Sequence, residues 1–152
     1  MVRVTNLTNE HLENFLQMIE THEGKERKIE LQTALNNLKD NEDYLVCIDC
    51  ESGLPIGYSK TTTLTHGLIK LDYIYVIPTL RRETNGSIIL VAVYNKAVNR
   101  LTAGIVCECD EGNQTANAFF KSRGFILSGE NDGVNYYTKS LMHMYIKHTH
   151  DE

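Results

Sequence analysis

Residues 71–101, LDYIYVIPTLRRETNGSIILVAVYNKAVNRL, constrain this chain more than any other stretch. They read as a strand, a turn stopped by Pro78, a polar loop closing on Gly86, and then an apolar helix. Such a handover gathers backbone amides at the helix N-terminus. Unpaired N–H groups and the helix dipole both favour negative charge there, so the order suits a bound pyrophosphate. A further strand is read over 104–109, so the helix also makes a crossover between two parallel strands.

The rest of the chain builds outward from this unit. A short strand covers 2–4, and Thr8 stands where it can cap a first helix bearing Leu12, Phe15, Leu16 and Ile19 at helical spacing. Gly24 and a charge cluster over 21–28 interrupt that pattern. A second helix then carries Leu31, Ala34, Leu35 and Leu38 on one face. Strands follow over 43–50, 56–63 and 68–77, with turns at 51–55 and Gly67. The helix after Gly86 is apolar on most sides, so its first half is expected to be almost wholly buried. A short helix over 114–122 ends at Gly124, a residue suited to the left-handed cap position. Strands over 125–128 and 134–141 complete the core, and 143–152 reads as a loose tail. The order β-α-α-β-β-β-α-β-α-β-β describes one domain over 1–142, with a mixed, mostly antiparallel sheet.

Composition narrows the class of function. The apolar fraction of 41% and charged fraction of 23% are those of a soluble globular chain. The apolar run 88–93 is too short to span a bilayer, so no membrane partner is expected. The N-terminus lacks a basic-then-apolar leader, which points to the cytoplasm. A net charge of −5 argues against nucleic acid.

The cysteines and histidines invite a metal reading that local geometry opposes. Cys47 and Cys50 have C-x-x-C spacing, and Cys107 and Cys109 are close in sequence. Both pairs fall in strand-like runs, where positions three apart face opposite sides, so Cys47 and Cys50 diverge. These are read as reduced strand cysteines, and no histidine falls near Cys107 or Cys109 to make an acyl-enzyme nucleophile. His143, His148 and His150 stand in a polar tail without a rigid frame, so no metal is expected there either.

Two motifs carry a resemblance to a known family. Pro78 is followed by Arg81-Arg82-Glu83-Thr84-Asn85-Gly86, which is similar to the pattern R/Q-x-x-G-x-G/A, with Thr84 in place of the first glycine. Downstream, Asn113-Gln114-Thr115-Ala116-Asn117-Ala118-Phe119-Phe120-Lys121-Ser122-Arg123-Gly124-Phe125 is similar to N-x-x-A-x-x-F-Y-x-x-x-G-F. In this order and at this distance the chain resembles the GCN5-related N-acetyltransferases, with motifs over 71–125 and an element order that matches over 1–141. The resemblance implies an α+β fold, an α/β/α sandwich. Its sheet would be mixed and mostly antiparallel, of about seven strands, with helices on both faces. Acetyl-CoA is implied as cosubstrate without a metal, with an amine as acceptor, and a homodimer is compatible with it.

The resemblance also assigns expected roles. Backbone amides over Arg81, Arg82, Glu83, Thr84, Asn85, Gly86 and Ser87 would cradle the pyrophosphate. Pantetheine would lie along Ile74 to Val76, and an amide near Tyr75 or Val76 would receive the thioester oxygen. Asn113 and Phe120 would also meet the coenzyme. Asp72, six residues before Pro78, stands where an acidic general base often occurs, acting through water. Phe120 replaces a tyrosine that donates a proton to the leaving thiolate in many members, and phenylalanine cannot do so. Tyr75, Tyr136 and Tyr137 are the substitutes considered, with Tyr75 the named catalytic candidate. The acceptor pocket would be shaped by 21–28 and 128–136, where Glu23, Glu26, Glu130 and Asp132 offer charge to a cation. The competing reading is a catalytically weak member that binds an acyl-CoA or a protein partner, favoured by Phe120 and Thr84. An unrelated α+β binding domain with chance motifs is the third.

Overall fold

The computed structural model describes residues 1–81 and 84–142. Arg82, Glu83 and the tail 143–152, with its three histidines, lie outside the described residues. Twelve elements follow one another: β1 (Val2–Asn6), α1 (Asn9–Glu23), α2 (Lys25–Asn36), β2 (Glu42–Asp49), β3 (Pro55–Thr63), β4 (Leu68–Val76), a 3-10 turn (Pro78–Leu80), α3 (Asn85–Asn99), β5 (Gly104–Asp110), α4 (Gln114–Ser122), β6 (Ile126–Asn131) and β7 (Val134–Ser140). The strands form a seven-stranded sheet in the order β1-β2-β3-β4-β5-β7-β6. β4 and β5 pair in parallel, while β1 with β2, β5 with β7, and β6 with β7 are antiparallel. The expected α+β class and mixed sheet are therefore present, including the parallel crossover through α3. The chain divides into two compact units, Met1–Thr61 with Tyr73–Val93, and Thr62–Asp72 with Tyr94–Glu152.

In the first unit, strand alternation sends neighbouring side chains to different helices. Tyr44, Val46 and Ile48 of β2 and Tyr75 of β4 pack with Phe15, Leu16, Met18 and Ile19 of α1 and Leu31 of α2. Cys47 of β2 and Val76 of β4 instead pack with Ile56 and with Ile89 of α3. Helices cover both faces here because alternate β2 and β4 residues are apolar on both sides. Thr8 stands at the N-cap of α1, where its carbonyl accepts the His11 N–H at 3.0 Å, but its side chain makes no capping bond.

Three expectations are corrected. The charge cluster at 21–28 is not a loop: α1 and α2 are joined through Gly24 alone, at φ 96°. Glycine suits that left-handed value, and the sharp turn brings the end of α1 beside the first turn of α2. Leu38 lies beyond α2 and is 45% exposed, because the helix ends at Asn36. The first half of α3 is not wholly buried, since Val91 is 57% exposed on a helix that covers one sheet face only. In the second unit, Asn113 caps α4 by accepting the Ala116 N–H at 3.1 Å, and Gly124 follows the helix at φ 88°.

Close packing fixes one further glycine. A Cβ on Gly57 of β3 would stand 2.5 Å from the Tyr75 carbonyl oxygen and 3.1 Å from Ile89 Cδ1. The first neighbour is backbone and cannot rotate away. Gly57→Ala is therefore expected to lower stability by about 1–3 kcal/mol through overpacking. Thermal unfolding followed by circular dichroism should show it as a fall of several degrees.

Candidate active site

In the first unit, β4 ends at Val76 and the chain turns through Pro78–Leu80 before entering α3. Arg81 fastens this turn, donating from Nε to the Val76 carbonyl at 2.8 Å. The Asn85 side-chain amide donates to the Leu80 carbonyl at 3.3 Å. The Ile88 N–H then bonds the Thr84 carbonyl at 3.0 Å, which starts the α3 ladder at the loop itself. The positive end of a fifteen-residue helix thus opens at Thr84–Ser87, as an anion cradle requires. Gly86 is the second residue of α3 and is helical, so its value is the lack of a Cβ rather than left-handed freedom.

Val76 and Tyr75 precede this loop, with both side chains buried. Arg81 also spreads over the Tyr75 ring, with Cζ 5.0 Å from its centroid. The Tyr75 ring meets Tyr58 at 5.9 Å between centroids, and Tyr58 stacks on Tyr73 at 5.3 Å. The Tyr73 hydroxyl donates to Glu23 Oε1 at 2.8 Å. Arg27 lies over the Tyr73 ring at 4.9 Å and donates to the Tyr58 hydroxyl at 3.3 Å and to Glu30 Oε2 at 3.1 Å. Burial first, then the nearby Glu23 carboxylate, raise the Tyr73 and Tyr75 phenols above the ordinary range, although Arg27 pulls Tyr73 and Arg81 pulls Tyr75 the other way. Burial likewise raises Tyr58, although Arg27 pulls the other way. All three therefore stay protonated at neutral pH.

In the second unit, the parallel ladder runs from Leu68 opposite Gly104 to Leu71 opposite Cys107. β4 continues beyond it to Val76. Asp72, the first residue past the ladder, is exposed and accepts the Thr62 hydroxyl on Oδ2 at 2.5 Å. Asn113 has its side-chain oxygen committed to the α4 cap. Phe120 is 6% exposed, with its ring 5.4 Å from both Phe119 and Phe125 and 6.2 Å from Tyr137.

Tyr137 is fully buried and donates to Asn117 Oδ1 at 2.6 Å. That bond and the enclosure withdraw it as a proton source. Asn117 also accepts from the Asn135 side chain at 2.9 Å and donates to the Asp110 and Asn113 carbonyls at 2.9 and 2.7 Å. It joins α4 to the ends of β5 and β7, a role that the motif reading missed.

All four cysteines are free, with Cys50 alone exposed. Burial pushes Cys47 up to about 11 and Cys107 up to about 12, so neither offers a thiolate at neutral pH. Among the described residues no group of three or more His, Cys, Asp and Glu side chains is arranged to hold a metal.

Residues 5–125 match the sequence model of the acetyltransferase (GNAT) family. The chain belongs to that family. Solved structures show the same fold at low identity. The PaiA N-acetyltransferase from Thermoplasma acidophilum, solved in complex with coenzyme A, is 14% identical, with a TM-score of 0.72 over 92% of this chain and 99% of that one. The ribosomal-protein-S18-alanine N-acetyltransferase from Escherichia coli is 16% identical, with a TM-score of 0.74 over 93% and 94%. A GNAT-family acetyltransferase from Staphylococcus aureus Mu50 is 14% identical, with a TM-score of 0.71 over 93% and 99%. No match was found among curated protein sequences. This GNAT chain has no helix among its described residues that is long and apolar enough to cross a membrane.

Proposed function

We propose that the protein is a cytoplasmic N-acetyltransferase that moves the acetyl group of acetyl-CoA directly to a primary amine. The observation that carries this reading is the α3 N-terminus at Thr84–Ser87, joined to the end of β4 by the bond from Arg81 to the Val76 carbonyl. The pyrophosphate would be held by amides from Arg82 to Ser87, where the helix field favours it. Pantetheine would run along Ile74 to Val76, and an amide near Tyr75 or Val76 would receive the thioester oxygen as it becomes an oxyanion. Continuation of β4 past its parallel ladder supports that assignment, because strand backbone beyond the ladder is where a ligand can add itself. Asn113 and Phe120 would complete the contacts with the coenzyme.

In the reaction the neutral amine nitrogen attacks the thioester carbon, a C–N bond forms and the C–S bond breaks. Asp72 would accept the ammonium proton through water, and its Oδ1 makes no bond to the Thr62 hydroxyl. Raised thiol affinities for protons at Cys47 and Cys107 favour direct transfer over an acyl-cysteine intermediate. The thiolate must then take a proton from a group other than Phe120 or Tyr137. Tyr75 keeps its proton at neutral pH and lies beside the Arg81 guanidinium at the end of β4, so it is our candidate.

Calorimetry with coenzyme A should give about micromolar affinity. An amine panel assayed by thiol release should show turnover. Binding without turnover of any amine would favour the second reading, an acyl-CoA-binding module, which the phenylalanine at 120 specifically supports. Asp72→Asn is expected to lower turnover by ~10²-fold with coenzyme affinity little changed. An unaltered pH–rate profile in that variant would make Asp72 a structural residue.

A further inference from the structure

A cavity of about 290 Å³ in the first unit has no part in the proposed reaction. It lies between one stripe of α1 and the turn that joins β2 to β3. Its apolar wall is Met18 of α1, Leu54, Pro55 and Ile56 at the start of β3, and Ile77 just after β4. Backbone bonds set that wall. The Ile77 N–H donates to the Ile56 carbonyl at 2.9 Å, which levels the end of β4 with the start of β3. The Asp49 N–H donates to the Leu54 carbonyl at 2.9 Å, and the Leu54 N–H donates to Ser52 Oγ at 3.2 Å. Ser52 Oγ in turn donates to Asp49 Oδ2 at 2.8 Å, so the turn is braced from within. Leu54 is nevertheless 50% exposed, while Met18 and Ile56 on the same wall are each 6% exposed. A braced turn that holds a leucine half in solvent beside an apolar cavity leaves that wall unfinished.

We infer that this cavity docks a partner protein, through an aliphatic side chain that the partner carries next to a lysine or arginine. The docking stands apart from acetyl transfer and does not depend on it. The volume is at the low end for ligand clefts and suits one inserted side chain better than a cofactor, and filled pockets of this kind anchor protein interfaces. Charge selects the flanking residue. α1 carries four glutamates and neither lysine nor arginine. Lys28 holds Glu20 at 2.8 Å, and the Tyr73 hydroxyl holds Glu23 at 2.8 Å. Glu10 and Glu13 are exposed, one helical turn before Asn14 and Gln17, which line the cavity. On the facing wall, Glu51 is exposed next to Ser52. No described residue lining the cavity is a lysine or arginine. A cation beside the aliphatic anchor therefore meets carboxylates from both walls, and an acidic partner is repelled.

The test follows the Met18 methyl by NMR in the full chain labelled at its methionine methyls, with Met142 of the second unit as control. The probe is N-acetyl-leucyl-lysine amide. It should move the Met18 signal saturably, with a Kd of about 1 mM, and leave Met142 in place. N-acetyl-glycyl-lysine amide lacks the anchor and should bind about tenfold more weakly. N-acetyl-leucyl-glutamate amide reverses the charge and should bind about fivefold more weakly. Leu54→Ser keeps the backbone bonds of the turn and should weaken the probe about fivefold. Glu13→Lys should weaken it about threefold, an effect that salt at about 0.5 M removes. Both side chains are exposed, and melting temperatures near the wild-type value will show that the variants are folded. Should Leu54→Ser not fold, Glu13→Lys and the peptide series carry the test. No movement of Met18 with the leucyl-lysine probe overturns the inference, as does equal binding of the glycyl or glutamate peptide or unchanged binding by Leu54→Ser. Equal binding of N-acetyl-leucine methylamide gives the cavity to a small apolar ligand, and movement of Met18 on concentrating the chain alone gives it to a second copy. Either result also overturns the inference.

Discussion

Gly86→Val is expected to abolish coenzyme A binding, a loss of at least about a hundredfold by calorimetry, while the protein stays folded. The structure explains why these effects separate. Gly86 is the second residue of α3 and has helical backbone geometry, which valine also adopts. The propensity difference is small, and a valine costs no more than glycine at such a position. What changes is the surface of the helix N-terminus, where a branched Cβ would keep a phosphate from approaching the amides. A melting temperature within a few degrees of wild type, together with lost binding, is the expected pair of results. Normal binding would move the pyrophosphate site away from this loop.

Asn117→Ala is expected to have the largest effect on stability, about 3–5 kcal/mol by denaturant unfolding. One side chain makes four hydrogen bonds, to the Asp110 and Asn113 carbonyls and from Asn135 and Tyr137. Truncation leaves the Tyr137 hydroxyl fully enclosed without an acceptor. Each such orphan costs about 1–3 kcal/mol, and bonds that share one oxygen weaken together. A loss below about 1 kcal/mol would show that water replaces the amide.

The β4-loop-α3 unit was legible in the chain because its signals are local: a β-rich run, a proline stop, a polar loop and an apolar helix. The helix at Gln114–Ser122 was read to its ends, because Asn113 and Gly124 mark them chemically. Reading was poorer where partners decide. Leu38 and Val91 fit helical apolar spacing, but the end of α2 exposes the first and the single covered face of α3 exposes the second. The charge cluster at 21–28 has the composition of a loop, yet one glycine suffices to join two helices there.

Sequence by itself determined the family and the element order, and it located the loop between β4 and α3 that we propose binds the pyrophosphate. These depend on spacings within a few dozen residues and on hydrogen-bonding capacity that each residue brings with it. Tertiary structure alone decided which of the named side chains are available. Tyr75 and Tyr137 are both tyrosines on strands; Asn117 engages the Tyr137 hydroxyl, whereas Tyr75 lies under the Arg81 guanidinium. Glu23 and Glu26 differ by one turn across Gly24, and only Glu23 is drawn among the tyrosines of β3 and β4. Burial and partnership are set by chain segments fifty residues apart, and no local pattern encodes which of two like side chains a fold will enclose.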